Sequence, residues 1–171
     1  MSDAPLTILV TDASVLINFL RVDRMDLFDA YPAEILVTDH VAEEIAEFYP
    51  DQRERFEAAL TANVLTQESL DDGHEVDLFA QMSAGGRLGA GECSAIALAT
   101  SRVCALAIDD RRAINELRRV HKEIEVFRTQ DLVVAMIRHK LLTVAAADSL
   151  KASWEQNHRF KIKAQTFGDL L

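Results

Sequence analysis

The chain has 171 residues, is 49% hydrophobic and 27% charged, and carries a net charge of −10 at pH 7. That length suits one domain with a real core, and the composition excludes a disordered or low-complexity protein. No apolar run approaches a membrane span, the start "MSDAPLT" has no basic, signal-like stretch, and two cysteines in apolar surroundings (Cys93, Cys104) make no disulfide framework, so a cytoplasmic location is expected.

In chain order, Leu6–Val10 is apolar with a β-branched lean and reads as a strand, followed by a helix over Ala13–Leu20. "MDLFDAY" reads as a short helix. Glu34–Thr38 is a second strand, and Thr38 or Asp39 caps the helix that follows. In that helix Val41, Ile45 and Phe48 form one apolar stripe at 100° per residue. Asp51–Ala62 is a charged helix, Val64–Gln67 a short edge strand, and Asp72–Met82 a helix ending at Gly85-Gly86, with Phe79 and Met82 core-like. Gly91–Ser101 is an Ala-rich helix, apolar nearly all round and therefore buried. Val103–Ile108 and Ile124–Phe127 are strands, while Arg111–His121, Gln130–His139 and Val144–Gln156 are helices, the last with Trp154 in helix packing. Strands alternating with helices predict a single α/β domain over residues 1–171, with a mostly parallel sheet covered on both faces.

In such a sheet the site lies at the carboxyl ends of the strands. Asp12 follows the first strand, and Asp109-Asp110 follow "VCALAI", each just before a helix. Glu44 falls within the apolar stripe of its helix, whereas Glu43 projects to the opposite side. Glu92 is the only acid of the buried Ala-rich helix and sits in its first turn, where free N–H groups favour a carboxylate. Four carboxylates converging on one sheet edge repel one another unless cations neutralise them, and carboxylate oxygens are the ligands of Mg²⁺ and Mn²⁺. Asp12 and Asp109 also read as plain helix caps, and Glu92 as a simple dipole partner. The five histidines form no HxxxH or HExxH pair, which argues against zinc.

Residues 1–100 hold 5 Lys and Arg against 19 Asp and Glu, and residues 101–171 hold 13 against 9, so the net charge runs from −14 to +4 along the sequence. Arg112 and Arg119 lie at i and i+7, as do Arg111 and Arg118, and form either a phosphate-contacting face beside Asp109-Asp110 or an ordinary solvated one.

"VTDASVLI", "VAEEI", "GAGECSAIALA", "AIDDRRA" and "FRTQDL" follow, in order, the pattern of PIN-domain proteins, and the chain most resembles their VapC-like ribonuclease branch. The resemblance spans nearly the whole chain. It implies a three-layer α/β/α fold and a metal-dependent endoribonuclease, the toxin of a toxin–antitoxin pair, leaving a 5′-phosphate and a 3′-hydroxyl. It also implies Mg²⁺ or Mn²⁺ as cofactor, RNA as substrate, an antitoxin as protein partner, and a homodimer. The family's acids carry over onto Asp12, Glu44, Glu92 and Asp109, with Asp110 as a further metal ligand. Ser14 and Thr129 match its small polar positions, where they join Arg112 and Arg119 as candidate nucleic-acid contacts. "TQDL" departs from the family's "TxGxL" and adds a fifth acid, Asp131. The alternatives are a non-catalytic PIN-like module binding RNA or protein, and last a response-regulator-like phosphoacceptor. The latter lacks an acidic pair after the first strand and a Lys late in the sheet.

Overall fold

A computed structural model describes residues 7–171; Leu6 and the rest of the segment 1–6 lie outside the described residues. Five parallel strands form one sheet in the order β3-β2-β1-β4-β5. They are β1 (Ile8–Thr11), β2 (Glu34–Thr38), β3 (Thr66–Glu68), β4 (Ala105–Ala107) and β5 (Val126–Phe127). The helices are α1 (Ala13–Arg21), α2 (Asp26–Ala30), α3 (Asp39–Phe48), α4 (Pro50–Thr61), α5 (Gly73–Ala84), α6 (Ala90–Arg102), α7 (Arg111–Val120), α8 (Thr129–Arg138) and α9 (Val144–Asn157), with a 3-10 turn at Phe167–Leu170. The fold is the expected three-layer α/β/α.

The topology decides where a site can form. From β1 the chain moves outward to β2 and β3, then crosses back through α5 and α6 to β4 on the other side of β1, and on to β5. Strand order therefore reverses between β1 and β4, and connections leaving in opposite directions open a crevice at the strands' carboxyl ends. Thr11 pairs with Ala107 in register, and Asp12 N–H donates to Ala107 C=O at 2.9 Å. The acids that follow these two strands thus emerge side by side.

Helix α6 is the central packing element. Its residues from Cys93 to Thr100 are all buried, and it touches β1, β2 and β4. Trp154 of α9 is fully buried edge-on to Phe19 of α1, with ring centroids 5.7 Å apart, and its indole N–H donates to Asn18 C=O at 2.7 Å. Trp154 is a packing residue, as its helical position suggested. Arg102, at the end of α6, bridges Glu68 of β3 and the buried Glu75 of α5, tying the edge strand to both helices.

Three sequence expectations shift. Phe48 is 66% exposed instead of completing the apolar stripe, because α3 ends there and Tyr49 turns inward against the core in its place. Phe79 and Met82 are only half-buried; Phe79 stacks on His40 with centroids 4.7 Å apart. Val103 belongs to no strand: it caps α6 in the left-handed region at φ +50, 72% exposed, and β4 starts only at Ala105. A β-branched residue is strained in that conformation and glycine is not. Val103→Gly is therefore expected to raise the free energy of unfolding, by about 1 kcal/mol, in denaturant titrations.

Candidate active site

Asp12 is the N-cap of α1 and is 2% exposed. Its Oδ2 accepts the backbone N–H of Ser14 at 3.1 Å and the Ser14 hydroxyl at 2.6 Å. The same hydroxyl accepts the backbone N–H of Asp109 at 3.1 Å, so Ser14 joins the ends of β1 and β4. Asp12 Oδ1 is buried and, among the described residues, has no hydrogen-bond partner.

Asp109 is held from the opposite side. Its Oδ1 accepts Thr129 N–H at 2.9 Å, and its Oδ2 accepts the Thr129 hydroxyl at 2.6 Å and Asn18 Nδ2 at 3.2 Å. Asn18 Nδ2 also reaches Thr129 Oγ1 at 3.0 Å and Ser14 C=O at 3.2 Å. Arg128 Nε lies 3.9 Å from Asp109 Oδ1. Asp131 caps the start of α8 by accepting Arg128 N–H at 2.9 Å.

Glu44 and Glu92 come from two helices pinned at their starts. Thr38, the N-cap of α3, accepts Val41 N–H and donates to Ser94 Oγ at 2.7 Å, and Ser94 donates to Gly91 C=O at 2.8 Å. An alanine Cβ built at Gly91 would overlap Glu44 Oε2, so glycine at this position leaves the space that the carboxylate fills. Glu92 Oε2 accepts Gly89 N–H at 3.1 Å, in the first turn of α6. Glu44 and Glu92 line one cleft of about 300 Å³. Glu43 points to solvent, as its helical phase requires.

The carboxylates act on one another. Burial, reinforced by Asp12 and Glu92, pushes Glu44 up to about 7. Asp12 is raised by burial against the pull of Ser14's hydrogen bonds, with Asp109 adding to the rise. Asp109 is raised by burial in spite of Thr129. Glu92 is raised by burial, with Asp110 and Asp12 pushing the same way and Arg112 opposing them. Asp110 caps α7 by accepting Ala113 N–H at 2.9 Å, which leaves one of its oxygens out of that bond.

The expected acids Asp12, Glu44, Glu92, Asp109 and Asp110 thus gather at the crevice. The hydroxyls of Ser14 and Thr129, expected at a substrate, are engaged by the carboxylates. Arg112 faces Glu92 electrostatically, while Arg119, two turns further along α7, is paired with Glu116 at 2.6 Å. The sequence reading did not single out Asn18 or Arg128. Asn18 had a signal, an amide among buried apolar residues four positions after Ser14; Arg128 had none apart from its place before Thr129.

Among the described residues no three His, Cys, Asp or Glu side chains close into a ready metal cage. The donor set nonetheless fits a hard divalent cation. It is all oxygen, its members repel one another, and Asp12 offers a buried oxygen that has no hydrogen-bond partner among the described residues. Mg²⁺ in particular is held by one or two carboxylates and keeps several waters, so a closed cage is not required.

Comparisons with known proteins give the family and the fold. A family model, DUF3368, described as a PIN domain, matches residues 8–166. The chain belongs to the PIN-domain family. Among solved structures, this PIN domain is similar to the crystal structure of PAE2754 from Pyrobaculum aerophilum, at 16% identity and a TM-score of 0.50, over 78% of this chain and 98% of that one. At that identity the likeness speaks for the fold alone. No curated protein matches the chain. PIN domains are generally nucleases, and here the crevice that the PIN topology opens is the one holding the carboxylates. No described helix of this PIN domain is long and apolar enough to cross a membrane.

The raised carboxylates set a pH dependence. A group whose folded pKa exceeds its unfolded value stabilises the fold at low pH and loses that contribution as pH rises through the folded value. For Glu44 the loss falls between 4.5 and about 7, and Asp12, Glu92 and Asp109 act in the same direction. In EDTA the protein should melt at a higher temperature at pH 5.5 than at pH 8, with a smaller difference in Glu44→Gln. A melting temperature that rises with pH across this window would show that these acids are held by favourable partners and do not repel.

Proposed function

We propose that this PIN domain is a metal-dependent endoribonuclease that hydrolyses RNA phosphodiester bonds and acts as the toxin of a toxin–antitoxin pair. The buried, unpartnered Asp12 Oδ1 at the β1–β4 crevice, surrounded by mutually repelling carboxylates, carries the reading. Asp12, Glu44, Glu92 and Asp109 would hold Mg²⁺ or Mn²⁺, with Asp110 at the rim. When bound, such a cation supplies Lewis acidity to the scissile phosphate and acidifies a water.

The rest is done by the protein's own groups. Ser14 fixes Asp12, while Thr129 and Asn18 fix Asp109, so neither carboxylate has to reorganise during the reaction. One of the carboxylates, with Glu44 half-buried at the cleft as the candidate, would accept the proton of an attacking water. Attack at phosphorus breaks the bond to the 3′ oxygen, which leaves as the 3′-hydroxyl after taking up a proton, and the other fragment keeps the 5′-phosphate. Arg112, beside Glu92, offers charge to a neighbouring phosphate.

The toxin role and the RNA preference rest on the ordered VapC-like motifs. An antitoxin would inhibit by filling the crevice, with an Arg or Lys of its own reaching the carboxylates. A second copy of the chain is proposed as a further partner, and the cytoplasm as its location. One observation favours the alternative of a non-catalytic module: both oxygens of Asp109 are already satisfied by protein donors.

The two readings separate in a cleavage assay on fluorescent RNA. The wild type should cut with Mn²⁺ or Mg²⁺ and stop in EDTA. Asp12→Asn and Glu92→Gln should lower the rate by more than about a hundredfold while staying folded, and Glu43→Gln should be near neutral. Mn²⁺ should raise the melting temperature of the wild type at neutral pH by mass action, and less so in Asp12→Asn. Expression of the wild type, but not of Asp12→Asn, should arrest growth, and co-expression of the neighbouring open reading frame should relieve the arrest. A folded wild type that ignores both metal and RNA cleavage conditions would favour the binding module.

A further inference from the structure

We infer that the cleft between the α5–α6 turn and α7 is a phosphodiester-binding subsite, in which Arg87 and Arg112 hold the substrate strand one step away from the carboxylates. The inference rests on the nucleic-acid reading above and adds a residue, Arg87, and a place to it.

The cleft measures about 640 Å³ and is bordered by Arg87, Arg112, Asn115, Glu116 and Arg119. Arg87 reaches it because the chain reverses after α5 at Gly85-Gly86, where Gly86 takes φ +64, a conformation that side-chain-bearing residues rarely adopt. Arg112 lies in the first turn of α7, which contains no acidic residue. The positive end of a helix disfavours a cation there, so the compensation for Arg112 comes from the neighbouring acids Asp110 and Glu92 and not from the helix itself.

Charge pairing separates the three arginines. Arg119 is bound to Glu116 within its own helix. Among the described residues neither Arg87 nor Arg112 forms a salt bridge, in a chain with 28 acids and 18 Lys and Arg. Both are exposed. Two unpaired guanidiniums facing one cleft call for an anion, and their planar forks match phosphate oxygens in bidentate fashion.

Position decides which anion. Arg112 lies two residues after Asp110, the N-cap of α7, and Leu88 of the cleft wall directly precedes Gly89, whose N–H donates to Glu92, so the cleft adjoins the carboxylate cluster. On the other side of Glu92 the surface is acidic, with Glu43, Glu44 and Glu47 around the second cleft. A strand of phosphates crossing the centre therefore finds an electrostatic anchor on the arginine side and a repelling surface on the glutamate side. Arg119 is paired with the one acid lining the arginine cleft, Glu116, to which Arg87 is also electrostatically coupled, while neither Arg87 nor Arg112 is tied up in a salt bridge among the described residues.

The test measures binding in a background that does not cut. Asp12→Asn protein in EDTA is titrated against a short labelled single-stranded RNA with a 5′-hydroxyl, by anisotropy, over a range of salt. Adding Arg87→Ala or Arg112→Ala should each lower the slope of log K against log salt by about 0.7 and weaken binding about fivefold at 0.1 M salt. The Lys variants should keep the slope, and Arg53→Ala, an exposed arginine paired with Glu57 on α4, should change nothing. RNA binding with a slope that ignores both alanine variants would overturn the subsite and leave the nuclease reading standing. A slope that falls as expected, alongside a folded wild type that never cleaves RNA with Mn²⁺ or Mg²⁺, would support the subsite and overturn the nuclease. An effect confined to strands carrying a terminal 5′-phosphate would overturn the assignment to a backbone diester. No binding to RNA at all would overturn the subsite together with the RNA reading.

Discussion

A charged group that prefers water sits at the buried end of the first core strand, and the site is organised around that conflict. Asp12 is almost fully enclosed, and one of its oxygens is satisfied twice by Ser14 while the other has no hydrogen-bond partner among the described residues. A buried carboxylate without a partner is costly, and it either takes up a proton or recruits a cation. Asp109 makes proton uptake easier, and on the proposed function a cation would be the other way to relieve the same charge. The site is therefore a local instability, which on the proposed function a ligand would relieve.

Rigidity reaches this centre from the core through a short chain of contacts. Trp154, buried against Phe19, donates to the backbone of Asn18. Asn18 holds Asp109 and Thr129, Thr129 holds Asp109 again, and Ser14 ties the Asp109 backbone to Asp12. Helices α1, α8 and α9 are thus coupled to the two carboxylates that end β1 and β4. Glu44 and Glu92 belong to a separate set, locked through Thr38, Ser94 and Gly91. Two independently braced pairs of acids meet at one crevice, an arrangement that keeps like charges together at the expense of stability elsewhere.

The surface around the centre is asymmetric in charge. The chain is acidic as a whole, yet two arginines with no salt bridge among the described residues border one side of Glu92 while glutamates border the other. The net charge of −10 therefore says little about which ligand approaches the site. Local placement, set by the glycine turn after α5 and the first turn of α7, says more.

Much of this was legible along the chain. Alternating strands and helices gave the parallel sheet, and acids directly after two core strands had to appear at its carboxyl edge, because chain direction alone fixes which end of a strand they follow. Helical phase separated Glu44 from Glu43, since 100° per residue is a local rule. Local rules stop where an element runs out of neighbours. Phe48 kept the right phase and still faces solvent, because α3 ends where there is nothing left to cover it. Val103 had the propensity of a strand and became a left-handed helix cap. Tertiary structure alone brought Asn18 to Asp109 across 91 positions and Arg87 to Arg112 across a glycine turn, and it paired Arg119 with Glu116 while leaving Arg112 without a salt bridge among the described residues. The sequence by itself determined which residues are acids at strand ends and which face of a helix they occupy. Which polar groups satisfy one another, and which are left for a ligand, was decided by distance in three dimensions, because hydrogen bonds and ion pairs form between groups that fold together and carry no periodicity along the chain.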